Sequence, residues 1–324
     1  MNIITSFINS LPGAFGQGLA WGVMALGLYI TYRVLDISDL TVDGSLATGG
    51  AVCAIAISLG VNPWVAVLLA VLAGMLAGLV TGLFHTVCGI PAILSGILTQ
   101  LALYSINLRI MAIGSNASTK ATVALSVDNH ALLLSSRYVR ELSLRNPLLL
   151  LVIVVIAVIG LLYWFFGTEL GCAMRATGAN QNMARAQGIN TDSGKVLALV
   201  IANGLVALSG ALLAQYQGSA TVDMGRGAIV IGLAAVIIGE VLGEAFLGKY
   251  LNFMMRLIFV VLGGVIYYVV YVFVLWLKFP ADDMKLLTAV VVAIFLAIPY
   301  LQNASKNSFS RIAKENAKLS KEGK

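Results

Sequence analysis

The chain has 324 residues, of which 60% are hydrophobic and only 10% charged, and its formal net charge is +6. Soluble domains carry about 25% charged residues and need polar surface over much of their exposed area, so this composition excludes an ordinary water-soluble protein. Most of the chain must face lipid.

Met1 to Gly13 contains no Lys or Arg. A secretory signal needs a positive stretch before its apolar core, so the first helix is expected to stay in the mature protein. A transmembrane helix takes about 20 mostly apolar residues, and the first such span is predicted over Phe15–Tyr32, ending at Arg33. A polar stretch from Asp36 to Ser45 holds Asp36, Asp39 and Asp43. The second span is predicted over Leu46–Leu59, with Asn62-Pro63 as a turn, and the third over Trp64–Phe84. Along the third, Ala66, Ala70, Gly74, Gly78 and Gly82 recur every four residues. Such a stripe lies on one helical face and lets a neighbouring backbone come close; it says bundle, not function.

The fourth span starts at Gly89-Ile90-Pro91 and runs to Met111. Residues 112–146 are rich in Ser, Asn, Thr and Arg and read as an extramembrane loop, with a short surface helix expected around Ala131–Glu141. Pro147 opens the fifth span, to Phe166, as suits a first helical turn. A polar segment at 167–194, a sixth span at Val196–Gln215 and a glycine-containing connection at Tyr216–Gly227 follow. Three further apolar runs, Ala228–Gly239, Asn252–Leu277 and Met284–Tyr300, bring the total to nine, two of them short for a full crossing. Glu240 and Glu244 fall four apart on one face and are expected to pair with Lys249 or Arg256; Tyr267, Tyr268 and Tyr271 read as packing. The fold class is therefore all-α, a polytopic transmembrane bundle of about eight to ten spans, some of them broken.

Residues 303–324 form a basic tail, with Lys306, Arg311, Lys314, Lys318, Lys321 and Lys324 against Glu315 and Glu322. Lys and Arg beside an apolar segment favour the cytoplasmic side, and anionic headgroups account for the charge better than nucleic acid does. With the tail inside and nine crossings, 167–194 is cytoplasmic and 112–146 external, although Lys120, Arg137, Arg140 and Arg145 in that external loop run against the charge rule. Cys53, Cys88 and Cys172 show no paired spacing, and His85 and His130 stand alone. Neither a disulfide framework nor a metal site is expected, and Cys53 and Cys88 read as small apolar residues.

The segment Thr168 to Asn190 is the most informative. Thr168 suits a helix N-cap and Glu169 the positive first turn, with a short helix to about Ala176; Gly178 then permits a turn. Asn180 caps a second short helix through Ala184, which Gly188 ends. A simple linker between spans needs no such pair of caps. The pattern Gly171…Ala173-Met174-Arg175-Ala176-Thr177-Gly178…Asn180…Ala184…Gly188-Ile189 resembles the cytoplasmic loop of ABC importer permeases of the branched-chain amino-acid, ribose and tryptophan/tyrosine type. Gly89-Ile90-Pro91-Ala92, Ile229 to Glu240 and Met284 to Tyr300 resemble the same family, so the likeness covers nearly the whole chain. Cys172 departs from it, standing where many relatives carry a basic or polar residue.

The resemblance implies a permease domain over 1–302 whose loop is a coupling helix gripped by an ATPase subunit. It assigns that role to Glu169, Gly171, Met174, Arg175, Ala176, Gly178, Asn180, Ala184 and Gly188. It further implies no cofactor on this chain, ATP and Mg on the partner ATPase, an extracellular or periplasmic solute-binding protein, and a second permease copy, identical or related. The bacterial plasma membrane and its lipid are the implied setting, with no nucleic acid. Consistently, the chain has no Gly-rich phosphate loop ending in Lys-Ser or Lys-Thr. In the resembled family a broken helix near Asp43-Gly44-Ser45 lines the solute path, and a helix N-terminus there would offer N–H groups to a solute. A plain N-cap at the membrane surface is the equally open reading for Asp43. Ser95, Gln100 and Asn203 are further path candidates, with interhelical hydrogen bonding as their alternative. A small nutrient is the expected cargo, with an amino acid, aromatic or branched-chain, favoured over a sugar or nucleoside. An ion-coupled secondary transporter using Asp43 or Glu240 is the rival class. An embedded enzyme finds no catalytic constellation.

Overall fold

The structure, a computed structural model, describes residues 3–115, 117–125, 132–138, 146–248 and 251–276, with side chains from residue 10, and the single positions 290, 293 and 297. The expected Pro280–Asp283 turn, the basic tail and almost all of the Met284–Tyr300 span lie outside the described residues, as do Lys249 and His130.

Among the described residues ten α-helices follow one another: α1 (Ile3–Tyr29), α2 (Val42–Ser58), α3 (Pro63–Thr86), α4 (Ala92–Ile110), α5 (Pro147–Gly167), α6 (Glu169–Ala179), α7 (Gln181–Ala186), α8 (Thr191–Gln217), α9 (Ala228–Leu247) and α10 (Phe253–Trp276). Among the described residues, seven helical stretches are long and apolar enough to cross a membrane. The chain is a multi-pass helical bundle. Local chemistry sets several starts: Asn62 and Asn146 accept from the backbone N–H groups of Trp64 and Leu148, with Pro63 and Pro147 in the first turns of α3 and α5. These are N-caps followed by a residue that has no N–H to leave unpaired.

α8 is the central post, buried along most of its length and packed against α1, α2 and α3. The small-residue stripe of α3 faces it. Ala66 and Ala70 are fully buried, and a Cβ on Gly74, Gly78 or Gly82 would run into Asn203 and Ala207, Leu199, or Val196 of α8. On the other flank, α1 packs on α9 and α10, where Trp21 stacks on Tyr268 with ring centroids 5.7 Å apart. Tyr267 and Tyr268 are buried there as packing residues.

Two helices start inside the bundle. α1 ends in a π-helical turn, Ile30–Val34, and Asp36 takes a left-handed conformation (φ 57°) that Asp tolerates better than most residues. Residues 35–41 then climb back between α4 and α8, where Gly96 leaves room for the Leu40 backbone. α2 starts at that depth; its 17 residues span about 25 Å, short of the ~30 Å hydrocarbon core. From the other end, the chain leaves α8 at Gly218 (φ 71°), forms a short strand β2 (Ser219–Thr221) antiparallel to β1 (Thr122–Ala124), and descends through a 3₁₀ turn, Val222–Gly225, to the first turn of α2. α9 begins there.

Several expectations change. The apolar run expected to stop at Gly239 continues as helix through Glu240 and Glu244 to Leu247. Among the described residues Glu240 pairs with Arg33, Nε to Oε1 2.7 Å, rather than with Arg256, because the π-helical turn of α1 lies against it; the expected Lys249 partner lies outside them. The loop at 112–146 contributes a strand, Thr122–Ala124, that hydropathy gave no reason to expect. Of the helix expected near 131–141, the described residues hold one 3₁₀ turn, Ser136–Tyr138, with 131 and 139–141 outside them. Cys53 is buried as expected, whereas Cys88 is exposed.

Candidate functional site

Two regions carry the functional candidates. The first is the compact pair α6–α7. The Thr168 hydroxyl accepts from the Gly171 N–H at 3.4 Å, and the Asn180 side chain accepts from the Met183 N–H at 3.1 Å, so both expected caps form. Gly188 ends α7 with φ 81°. Arg185 braces α7 against the start of α8, donating to the Thr191 hydroxyl at 2.8 Å and to Asp192 at 3.1 Å.

Gly178 does not make the expected turn. It lies inside α6, which runs on to Ala179, and its lack of a side chain serves a close approach: a Cβ there would strike the carbonyl of Val34 at the foot of α1. Gly171 likewise clears the Phe165–Phe166 backbone, and Met174 and Ala184 are buried beneath the pair. Glu169, Arg175, Asn180 and Gly188 face outward, with Ala176 half-buried. The same outer surface exposes Leu170 (61%) and Met183 (60%), two large apolar side chains that sequence reasoning passed over. The Arg175 guanidinium sits 5.6 Å from the centre of the Phe253 ring at the start of α10, within cation–π range. The element thus touches the feet of α1, α5, α8 and α10 together.

The second region is a polar seam in the middle of the bundle, centred on Asn203 about halfway along α8. Its Nδ2 donates to Asp39 Oδ2 at 2.7 Å, and its Oδ1 accepts from the Ser45 hydroxyl at 2.6 Å. Asp39 Oδ1 accepts from the Thr41 N–H at 2.9 Å. The hydroxyls of Thr41, Thr81 and Thr99 continue the seam at 2.8 and 2.9 Å, and Ser95, also buried, donates to the Ala92 carbonyl. Asp39 is only 3% exposed. In the sequence it reads as one acid of a polar loop, and nothing local signals that the loop is buried.

Asp43 is on the other side of α2. Its carboxylate accepts from the N–H groups of Gly227 and Ile229, both at 3.0 Å, and so caps α9 from a neighbouring helix while standing in the first turn of α2. Gly227 holds a left-handed conformation with no cap of its own. Beside this joint is a cavity of about 190 Å³ between α2, α4 and the Val222–Gly225 turn, lined by Asp43, Gly44, Gln100, Tyr104 and Asn107 among others. Of the path candidates, the structure brings Asp43, Gly44 and Gln100 together at this cavity. It places Ser45 and Asn203 in the seam, and Ser95 near the start of α4. Among the described residues no cluster of His, Cys, Asp and Glu is suited to a metal ion.

The family model described as the branched-chain amino acid transport system / permease component matches residues 11–298. The tyrosine transport system permease protein of Clostridioides difficile (strain R20291) is 39% identical over 312 residues, covering 96% of each chain. The ribose import permease protein of Escherichia coli (strain K12) is 28% identical over 232 residues, covering 72% of this chain and 69% of that one. Among solved structures, PsaBC from Streptococcus pneumoniae in complex with Fab superposes with a TM-score of 0.53 at 16% identity, covering 90% of this chain and 94% of that one; this likeness concerns the fold. With the family matched over nearly the whole length, the chain belongs to the branched-chain amino acid transport system permease family, the membrane-spanning permease subunits of ABC importers.

Proposed function

We propose that this permease imports an amino acid, with an aromatic one such as tyrosine as the leading candidate, and that ATPase subunits drive it through the outer surface of α6–α7. The observation that carries the reading is the seating of Gly178 on the Val34 carbonyl. A load applied to α6 bears directly on the foot of α1, and the Arg33–Glu240 pair extends the contact to α9. From Val34 the chain runs straight into residues 35–41, the Asp39–Asn203 seam and the start of α2. Displacement of α6 therefore reaches both helices that begin inside the bundle, without passing through a flexible linker.

Asp43, Gly44, Ser45, Ser95, Gln100 and Asn203 are the proposed path-side residues. The cargo assignment is supported by the name of the tyrosine relative, nearer in sequence than the ribose relative. ATP and Mg would be held by the ATPase subunits, cargo would arrive on a solute-binding protein, and a second permease copy would complete the path. The setting is the bacterial plasma membrane, with 167–194 and the basic tail on the cytoplasmic side. A secondary carrier needs an acid free to take up an ion, whereas the Asp43 carboxylate is engaged by two amides and Glu240 by Arg33.

The test is uptake of L-tyrosine into proteoliposomes holding the permease, its ATPase and its binding protein. Uptake should require ATP, and Arg175→Glu should abolish it without reducing membrane insertion. Uptake by this chain alone, driven by an ion gradient, would overturn the reading.

A further inference from the structure

We propose that the cavity between α2, α4 and the Val222–Gly225 turn is a solute subsite for a zwitterionic amino acid, with the Asn107 amide as its hydrogen-bonding centre. This rests on the importer reading above and adds where, and by which groups, the cargo is held. Asn107 is 1% exposed, yet among the described residues neither its Nδ2 nor its Oδ1 has a hydrogen-bond partner. Folded proteins satisfy nearly all buried polar groups, and an unpartnered amide costs free energy that a leucine at the same place would not. Here the orphaned amide lines the cavity wall, where a solute can supply both the acceptor and the donor it lacks.

The rest of the wall fits the same occupant. Gln100, Tyr104 and Asn107 are spaced to share one face of α4, and Gly44 lets that face approach: a Cβ on it would be 3.2 Å from Gln100 Cα. At the mouth, Asp223 and Arg226 form an ion pair at 2.9 Å with both side chains largely exposed, and Asp43 lies deeper. The Asp223 carboxylate and the Arg226 guanidinium provide a partner for each end of an amino acid, ammonium toward Asp223 and carboxylate toward Arg226. A neutral sugar carries neither charged end to share with this pair. At about 190 Å³ the space falls below the ~300–1,000 Å³ of drug-sized pockets and matches a single small solute.

The test is saturation-transfer NMR on the full chain in lipid nanodiscs, with L-tyrosine, tyramine (no carboxylate), 3-(4-hydroxyphenyl)propionate (no ammonium) and ribose as probes. L-Tyrosine should bind, Asn107→Leu and Arg226→Gln should each weaken it about tenfold, and the other three probes should bind less well. Asn107→Leu should at the same time raise the melting temperature, because it removes the unpartnered amide; a purely structural asparagine would lower it. No L-tyrosine binding by the wild type, binding unaffected by Asn107→Leu, or ribose binding as well as L-tyrosine would each overturn the proposal. ATP-driven uptake separates the two ideas. If Asn107→Leu takes up L-tyrosine with unchanged KM and rate, the subsite fails and the importer stands; if the wild type shows no ATP-driven uptake, the importer reading fails.

Discussion

Asn203 donates a 2.7 Å hydrogen bond to the carboxylate of Asp39, fastening a loop that lies between two helices in sequence to the middle of α8. The same amide accepts from Ser45, so one side chain anchors both the climbing segment and the helix it becomes. Asn203→Leu should leave the buried carboxylate and the Ser45 hydroxyl without this partner and cost about 2–3 kcal/mol. Thermal unfolding of the purified chain in detergent measures it. Asp39→Asn, which keeps an acceptor for the Thr41 N–H, should cost less.

The carboxylate of Asp43 replaces the N-cap that Gly227 cannot supply. Asp43→Ala should free the Gly227 and Ile229 amides and cost about 1–2 kcal/mol, the usual scale for a lost cap. Hydrogen exchange should speed up at the first turn of α9, with Asp43→Asn recovering part of the protection. Unchanged exchange would show that the cap adds nothing to α9.

The parts legible in the sequence were those with local chemistry. Asn62-Pro63 and Asn146-Pro147 mark helix starts because cap and proline stand side by side, and Thr168 and Asn180 announce α6 and α7 in the same way. The four-residue stripe from Ala66 to Gly82 already stated that a backbone would lie against α3. What the sequence hid depends on contacts between distant segments. Glu240 read as the end of an apolar run because its partner, Arg33, belongs to another helix. Gly178 read as a turn because a glycine needed for close packing looks the same as one needed for positive φ. Asp39 read only as one acid of a polar stretch because only the tertiary fold brings Asn203 to it, and Asn107 gave no signal at all within an ordinary α4 pattern.

The packing of α3 on α8 has a paired test. Gly78→Val should collide with the Leu199 carbonyl and lower the melting temperature, on the overpacking scale of about 1–3 kcal/mol. Gly160→Ala in α5, where a Cβ meets nothing within 4 Å, should be neutral or stabilise by up to about 1 kcal/mol through helix propensity. Equal effects of the two would remove the close-approach explanation for the stripe.

The Arg33–Glu240 pair joins the foot of α1 to α9. Arg33→Glu and Glu240→Arg should each slow ATP-driven uptake through like-charge repulsion, and the double exchange should restore most of the rate. Failure of the double exchange, with normal insertion, would place the effect of these residues outside their mutual contact.

ATP-driven movement of α1 through Gly178 requires α6–α7 to face the compartment that holds ATP. Cys172 is exposed on α6, while Cys53 is buried, so a Cys88→Ser variant leaves one accessible thiol among the described residues. A membrane-impermeant maleimide applied to intact cells should fail to label that variant and should label it fully once the membrane is permeabilised. Labelling of Cys172 in intact cells would put the element on the outer face, beyond the reach of any cytosolic ATPase.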